Sequence, residues 1–236
     1  WWASNVLIKR RLSFIDKAAK FFGAKVQETE YGNLYGSRRV VKNKSFEDPK
    51  NKEHWFGYDL WEDISNKVKE YIPEGYTLYG EAIGFDKNGG FIQPGYDYNC
   101  DPKQFKLEVY RITHTTPKGI VTELTYPEIK EICKHIPTVE PSILFYYGTA
   151  EDFLYNQKLD SPSDDRDFSR EFVETLTKMY NEKDCFLCNN KVPEEGIVVR
   201  KESLFRCDSY KLKSFRFLEH ESKALDQGKS DMESEN

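Results

Sequence analysis

Residues 194–214 read EEGIVVRKESLFRCDSYKLKS. Two β-rich runs, Val192–Lys201 and Leu204–Phe217, are separated by a short link, and this pattern predicts a pair of strands. Both runs carry charge where a strand interior is normally apolar. Glu194 and Glu195 precede Gly196-Ile197-Val198-Val199, Arg200 and Lys201 follow, and Lys211 and Lys213 flank Leu212. An unpaired buried charge is costly, so such residues need partners or a ligand. Strand alternation sets Lys211 and Lys213 on one face. Two ammonium groups there repel unless a polyanion lies between them, and a triphosphate suits. Glu195 is suited to a divalent metal or a ribose hydroxyl.

Two stretches upstream share this character. One is Tyr35-Gly36-Ser37-Arg38-Arg39-Val40-Val41, and the other is Leu78-Tyr79-Gly80-Glu81-Ala82-Ile83-Gly84. Gly80, Gly84 and Gly196 remove side-chain bulk where a ligand approaches the backbone. Any one stretch alone is compatible with edge-strand charges paired to each other. All of them together, in this order, point to a site.

The remaining elements follow from periodicity and punctuation. Val6–Leu12 reads as a strand. Ser13, with Asp16 three residues on, caps a helix that runs through Phe22 and stops at Gly23. Leu34–Val41 is strand-like. Leu60, Trp61, Ile64, Val68 and Tyr71 have helical spacing, and Pro73-Glu74-Gly75 ends that helix. Tyr76–Phe85 and Phe105–Thr113 read as strands, with a strong turn signal at Asp86–Gly90. Thr125 caps a helix to about Ile136, Val139–Tyr147 is extended, and a helix covers Asp167–Tyr180. The expected class is α+β with antiparallel sheets flanked by helices. Residues 1–218 are expected to form one domain, and residues 219–236, with six acids against Lys223 and Lys229, an acidic helix or tail.

The composition excludes several classes. A chain of 236 residues with 38 % hydrophobic and 15 % aromatic residues is too apolar for disorder. No apolar run reaches the roughly 18 residues of a membrane span. Five cysteines, an odd number, suit a reducing, cytoplasmic setting rather than a disulfide scaffold. The net charge of −5 argues against a nonspecific nucleic-acid coat, but residues 1–44 alone carry +7, which allows a local phosphate-binding face.

These stretches, in their order, resemble the motifs of the covalent nucleotidyltransferases: ATP-dependent RNA ligases, DNA ligases and mRNA capping enzymes. Leu78–Gly84 looks like the third motif, Glu195–Lys201 like the fourth and Tyr210–Ser214 (Lys-x-Lys) like the fifth. The nearest branch is the RNA ligase 2-like family of T-even phage and the kinetoplastid editing ligases. Two more segments support it: Phe91-Ile92-Gln93-Pro94-Gly95-Tyr96-Asp97-Tyr98, and the strand Phe105–Ile112. The resemblance implies a nucleotidyltransferase (ATP-grasp-like ligase) adenylation domain that joins RNA 3′-OH and 5′-phosphate ends, nicked duplexes included. It implies ATP as AMP donor and Mg²⁺ or Mn²⁺; the expected state is a monomer with no membrane partner. Arg38, with Arg39 as the alternative, would contact phosphate or the 3′-OH end. Glu81 would bind ribose hydroxyls and Tyr110 would stack on adenine. Glu195 would support the metal, and Lys211 and Lys213 would stabilise charge on the α-phosphate.

The family's first motif, Lys-x-(Asp/Asn/His)-Gly, supplies the nucleophilic lysine and is missing here. Lys20-Phe21-Phe22-Gly23 has the right order but a Phe at the polar position, whereas Lys87-Asn88-Gly89-Gly90 comes after the third motif. The expectation is that the motif lies just upstream of Trp1. Restored full-length, the chain would form lysyl-AMP. Without the motif it would not self-adenylate. An ATP-dependent DNA ligase is the second reading, disfavoured by only 22 residues after Ser214, and a non-catalytic nucleic-acid end-binding protein on the same fold is the third. Cys185-Phe186-Leu187-Cys188 lacks the second pair that a structural zinc site needs.

Overall fold

The computed structural model describes residues 1–38, 40–42, 56–157, 165–204 and 206–226. The chain divides into two compact units. The first holds Trp1–Ile92, Cys100–Ser142 and Leu204–Arg206, and the second holds Gln93–Asn99, Ile143–Ser203 and Cys207–Asn236.

The first unit is built on a six-stranded sheet. β1 (Trp2–Lys9) runs antiparallel to both β2 (Thr29–Gly36) and β3 (Tyr76–Gly84). β3 pairs with β4 (Phe105–Thr115), β4 with β5 (Val121–Glu123), and β6 (Val139–Pro141) lies parallel along β4. The strand order is β2-β1-β3-β4-β5. Two helices follow their expected patterns. In α2 (Leu60–Val68) the residues Leu60, Ile64 and Val68 are buried, which is the predicted 3.6-residue stripe, and the Asp59 carboxylate accepts the Glu62 N–H. In α3 (Tyr126–Cys133) Thr125 and Glu128 form a capping box, and Ile129 and Cys133 are buried. The core includes Leu78, Val109 and Ile112, each fully enclosed. Burying a side chain of this size contributes about 1.5–3 kcal/mol.

The second unit pairs β7 (Gly196–Glu202) with β8 (Cys207–Lys213) as an antiparallel ribbon. Its apolar face carries Ile197 and Leu212, which pack with Phe153 and Leu154 of α4 (Ala150–Asn156) and Leu176 of α5 (Asp165–Tyr180). α6 (Phe215–Asp226) follows β8 directly.

The α+β class with antiparallel strands and flanking helices is therefore present, and one parallel neighbour, β6, makes the larger sheet mixed. Several boundaries differ from expectation. β1 begins at Trp2 rather than Val6, because Trp2–Ser4 are held by ladders on both sides. β2 ends at Gly36, where the expected strand ran on to Val41. Val139–Tyr147 is a strand for only three residues. β8 stops at Lys213 because Ser214 opens α6, so the expected run to Phe217 is partly helix, and a boundary at 218/219 falls inside α6. α4 was not anticipated, although Thr149 accepting the Asp152 N–H is an ordinary N-cap. Among the described residues no helix is long and apolar enough to cross a membrane.

Candidate functional site

In the first unit the candidate residues gather around an irregularity in the β3–β4 ladder. Tyr79 pairs with Arg111 and Gly80 with Val109, so Tyr110 is the extra residue of a β-bulge. The bulge resolves a parity problem. Val109 and Ile112 are both fully buried although three residues apart, while Tyr110 between them is 48 % exposed. Burial pushes the Tyr110 phenol above its ordinary value. The Glu81 carboxylate adds to the rise, and the Arg111 and Arg38 guanidinium groups oppose it. Glu81 and Arg38 thus each lie within electrostatic reach of Tyr110. Arg111 is held by Glu123 at 3.2 Å and over the Tyr79 ring at 4.8 Å. Gly80 admits no side chain. A Cβ there would lie 2.2 Å from the Glu108 carbonyl oxygen and 2.7 Å from the Trp1 ring.

Arg38 sits in the turn leaving β2. The Ser37 N–H donates to the Val40 carbonyl at 3.0 Å, and the Trp2 indole N–H donates to the Ser37 carbonyl at 2.8 Å. The alternative arginine, Arg39, lies outside the described residues.

In the second unit the candidate residues occupy one face of the β7–β8 ribbon. Val198 pairs with Lys211 and Gly196 with Lys213, so both lysines project opposite to the Ile197–Leu212 pair that faces the core. The Lys211 ammonium donates to the Glu195 carboxylate in a short ion pair. Lys213 instead reaches toward α6, 4.0 Å from Glu221 and 5.4 Å above the Phe217 ring. The two cations expected to share one anion thus hold different carboxylates. Gly196 has φ +134°, and a Cβ there would lie 2.0 Å from the Leu212 carbonyl oxygen. Only glycine fits both conditions.

The Glu194 carboxylate accepts the Phe186 N–H at 3.4 Å. This carboxyl is pushed up by burial, against the lowering effect of the Phe186 and Gly196 N–H groups and the Cys185 thiol. The Cys185 thiol is pushed up by burial to about 12. The loop carrying these cysteines is strapped to the segment 93–99. Tyr96 donates to the Pro193 carbonyl at 2.7 Å, the Asn189 N–H to Asp97 at 2.9 Å, and the Asn190 amide to the Gly95 carbonyl at 2.6 Å.

Sequence reading missed one residue that fixes this geometry. The Ser214 side chain is buried; its hydroxyl donates to the Glu194 carbonyl at 2.8 Å and accepts the Phe217 N–H at 3.0 Å. Its own N–H donates to the Glu195 carbonyl at 3.0 Å. The signal was available, since a serine standing just before a helical apolar pattern is an N-cap signature. Lys20, the weak alternative nucleophile, ends an exposed helix α1 (Phe14–Phe21) and is ion-paired to Glu28 at 2.6 Å.

Among the described residues no group of three or more His, Cys, Asp or Glu side chains is placed to hold a metal. The one carboxylate expected to support a metal, Glu195, is engaged by Lys211. Mg²⁺ is usually held by one or two carboxylates, substrate phosphates and water rather than by an all-protein cage. Chemically, the ribbon carries two lysines, each beside a carboxylate of its own. The bulge presents an aromatic ring beside a carboxylate and a guanidinium. Comparison with family models, with curated proteins and with solved structures gave no match in any of the three.

Proposed function

We propose that this chain carries the adenylate-handling machinery of an ATP-dependent RNA ligase, which joins a 3′-OH to a 5′-phosphate through lysyl-AMP and RNA-adenylate. The observation that carries the reading is the ribbon face on which Lys211 and Glu195 are paired beside Lys213, turned away from the apolar core. In the proposed chemistry Tyr110 stacks on adenine and Glu81 accepts hydrogen bonds from ribose hydroxyls. In the second unit Lys211 and Lys213 neutralise nonbridging phosphate oxygens, and in the first Arg38 holds phosphate at the end to be joined. In the sealing step the RNA 3′-oxygen bonds to the 5′-phosphorus as the bond to AMP breaks, and AMP leaves. Such in-line displacement depends on positioning and on stabilising charge, which is what fixed cations supply. Glu195 would hold Mg²⁺, which adds positive charge at the same phosphate when bound.

The test bypasses lysine adenylation. A nicked RNA duplex with a 5′-adenylated donor strand is incubated with the chain and Mg²⁺, and products are resolved on a denaturing gel. Sealing by the parent chain, lost in Lys211→Ala and Glu195→Ala, supports the reading. A parent chain that binds the adenylated nick and never seals it overturns it in favour of an end-binding protein. Preferential sealing of the DNA counterpart overturns it in favour of a DNA ligase. With α-labelled ATP, no covalent adenylate is expected on these residues; a labelled band abolished by Lys20→Ala would reverse that expectation.

A further inference from the structure

Helix α1 connects β1 to β2, and none of its residues is buried. Phe14, Ile15, Phe21 and Phe22 are 87, 78, 85 and 83 % exposed. At 100° per residue, Phe14, Ile15, Ala18, Phe21 and Phe22 fall on one side of the helix, and Asp16, Lys17 and Lys20 on the other. Phe21 and Phe22 stand edge to face with centroids 5.4 Å apart. Leaving so much aromatic surface in water is unfavourable unless something covers it.

Charge narrows the choice of occupant. Residues 9–25 carry six cations against Asp16, a local charge of +5 in a chain of −5. Arg10 is held by Asp16 at 3.1 Å and Lys20 by Glu28 at 2.6 Å. Arg11, Lys17 and Lys25 are exposed and make no ion pair among the described residues. Aromatic rings that accept stacked bases, flanked by cations that track phosphates, are the chemistry of single-stranded nucleic-acid binding. A lipid surface fits less well. The helix has eight residues, about 12 Å at 1.5 Å per residue, and three of its four large exposed side chains, with Phe22 at its end, are flat rings suited to stacking.

We propose that α1 and its flanking residues form a single-stranded RNA contact separate from the Glu195–Lys211 ribbon. Phe14, Phe21 and Phe22 stack on unpaired bases, and Arg11, Lys17 and Lys25 take the phosphates. Choosing RNA as the polyanion rests on the proposed ligase reading. The contact would hold a strand extending from the end to be joined.

The experiment measures binding of the whole chain to a labelled, unadenylated single-stranded RNA by fluorescence anisotropy, without ATP, over a range of salt. Two variants are compared with the parent: Phe14→Ala/Phe21→Ala/Phe22→Ala, and Arg11→Gln/Lys17→Gln/Lys25→Gln. All six side chains are exposed, and an unchanged melting temperature verifies that both variants fold. The aromatic variant is expected to bind about tenfold more weakly or worse, as for one lost stacked base, with the salt dependence intact. The cation variant should bind more weakly with a log–log salt slope shallower by about 2, as for three lost phosphate contacts on a single strand. RNA affinity unchanged in both variants overturns the inference. So does binding to phosphatidylserine vesicles that the aromatic variant loses while its RNA binding stays intact, since that assigns the face to a membrane. If the nick-sealing assay succeeds while RNA binding ignores α1, this inference fails alone. If α1-dependent RNA binding persists and no sealing occurs, the ligase reading fails alone.

Discussion

The β3–β4 ladder and the β7–β8 ribbon solve the same problem by different means. Each brings a glycine against the carbonyl oxygen of its neighbour strand: Gly80 against Glu108, and Gly196 against Leu212. Each follows or precedes that glycine with a carboxylate, Glu81 or Glu195. In β3–β4 the backbone does the placing. A bulge turns Tyr110 outward while Val109 and Ile112 stay buried. In β7–β8 the ladder is regular from Gly196 to Glu202, and side-chain ion pairs do the placing, Lys211 on Glu195 and Lys213 near Glu221. A site set by backbone geometry resists change in its charged residues. A site set by ion pairs shifts with charge, whether from salt, protons or a ligand phosphate.

Substitutions can break this contrast, and the largest effect is expected at Lys211. Lys211→Ala should lower the rate of sealing a pre-adenylated nick about 10²–10³-fold, the usual loss for one transition-state donor, with ATP affinity changed much less. Single-turnover kinetics check it. A loss confined to affinity would show that the ion pair merely binds.

Next come the glycines, and they separate the two regions most directly. Gly196→Ala meets both a blocked Cβ and a positive φ, so it should cost about 3 kcal/mol or more in urea unfolding. Gly80→Ala meets only the contact and should cost about 1–3 kcal/mol. Equal costs would mean that the conformation at Gly196 is not what demands glycine.

A smaller effect is expected at the bulge. Tyr110→Ala should weaken ATP binding about tenfold, whereas Tyr110→Phe keeps the ring and should bind nearly as the parent does. Calorimetric titration distinguishes them. A loss in the Phe variant would assign the work to the hydroxyl near Glu81 instead.

The smallest effect concerns pH. Burial raises the Glu194 carboxyl, so the folded chain holds that proton more tightly than the unfolded chain does. The resulting stability is fully present below the unfolded carboxyl value and is lost as pH rises through the folded one. Glu194→Gln removes this dependence. The variant should therefore gain stability relative to the parent as pH rises from acid to neutral. A flat difference between the two unfolding curves would show that Glu194 does not sense its burial.

Legibility from sequence divides along the same line. The β7–β8 pair was readable because its alternation, its charges and its glycine all lie within one local stretch, Glu194–Ser214. The α1 cap was readable because Ser13 and Asp16 are three residues apart, and both hydrogen bonds of the box are present. The bulge was not readable, because an extra residue in β4 is defined only by its register against β3, which local pattern does not contain. The early start of β1 has the same cause: Trp2–Ser4 are strand because two neighbours pair with them. The extended stretch Val139–Tyr147 is strand only over Val139–Pro141, and its residues from Ile143 on belong to the second unit rather than to the sheet. Of the candidate residues, Arg38 and Glu81 each fall within electrostatic reach of Tyr110, and Glu195 meets Lys211. Lys213's turn toward Glu221 depends on α6, whose start at Phe215 the strand reading had obscured.

The Ser214 hydroxyl links two elements that are usually free to loosen independently. It bonds the Glu194 carbonyl on one side and the Phe217 amide on the other, while its own amide holds the Glu195 carbonyl. The first turn of α6 therefore cannot fray without releasing the entry to β7. Amide exchange at Ser214 and Phe217 is expected to follow a single opening event. A helix end that elsewhere would be the first part to melt is here tied to the strand beside it.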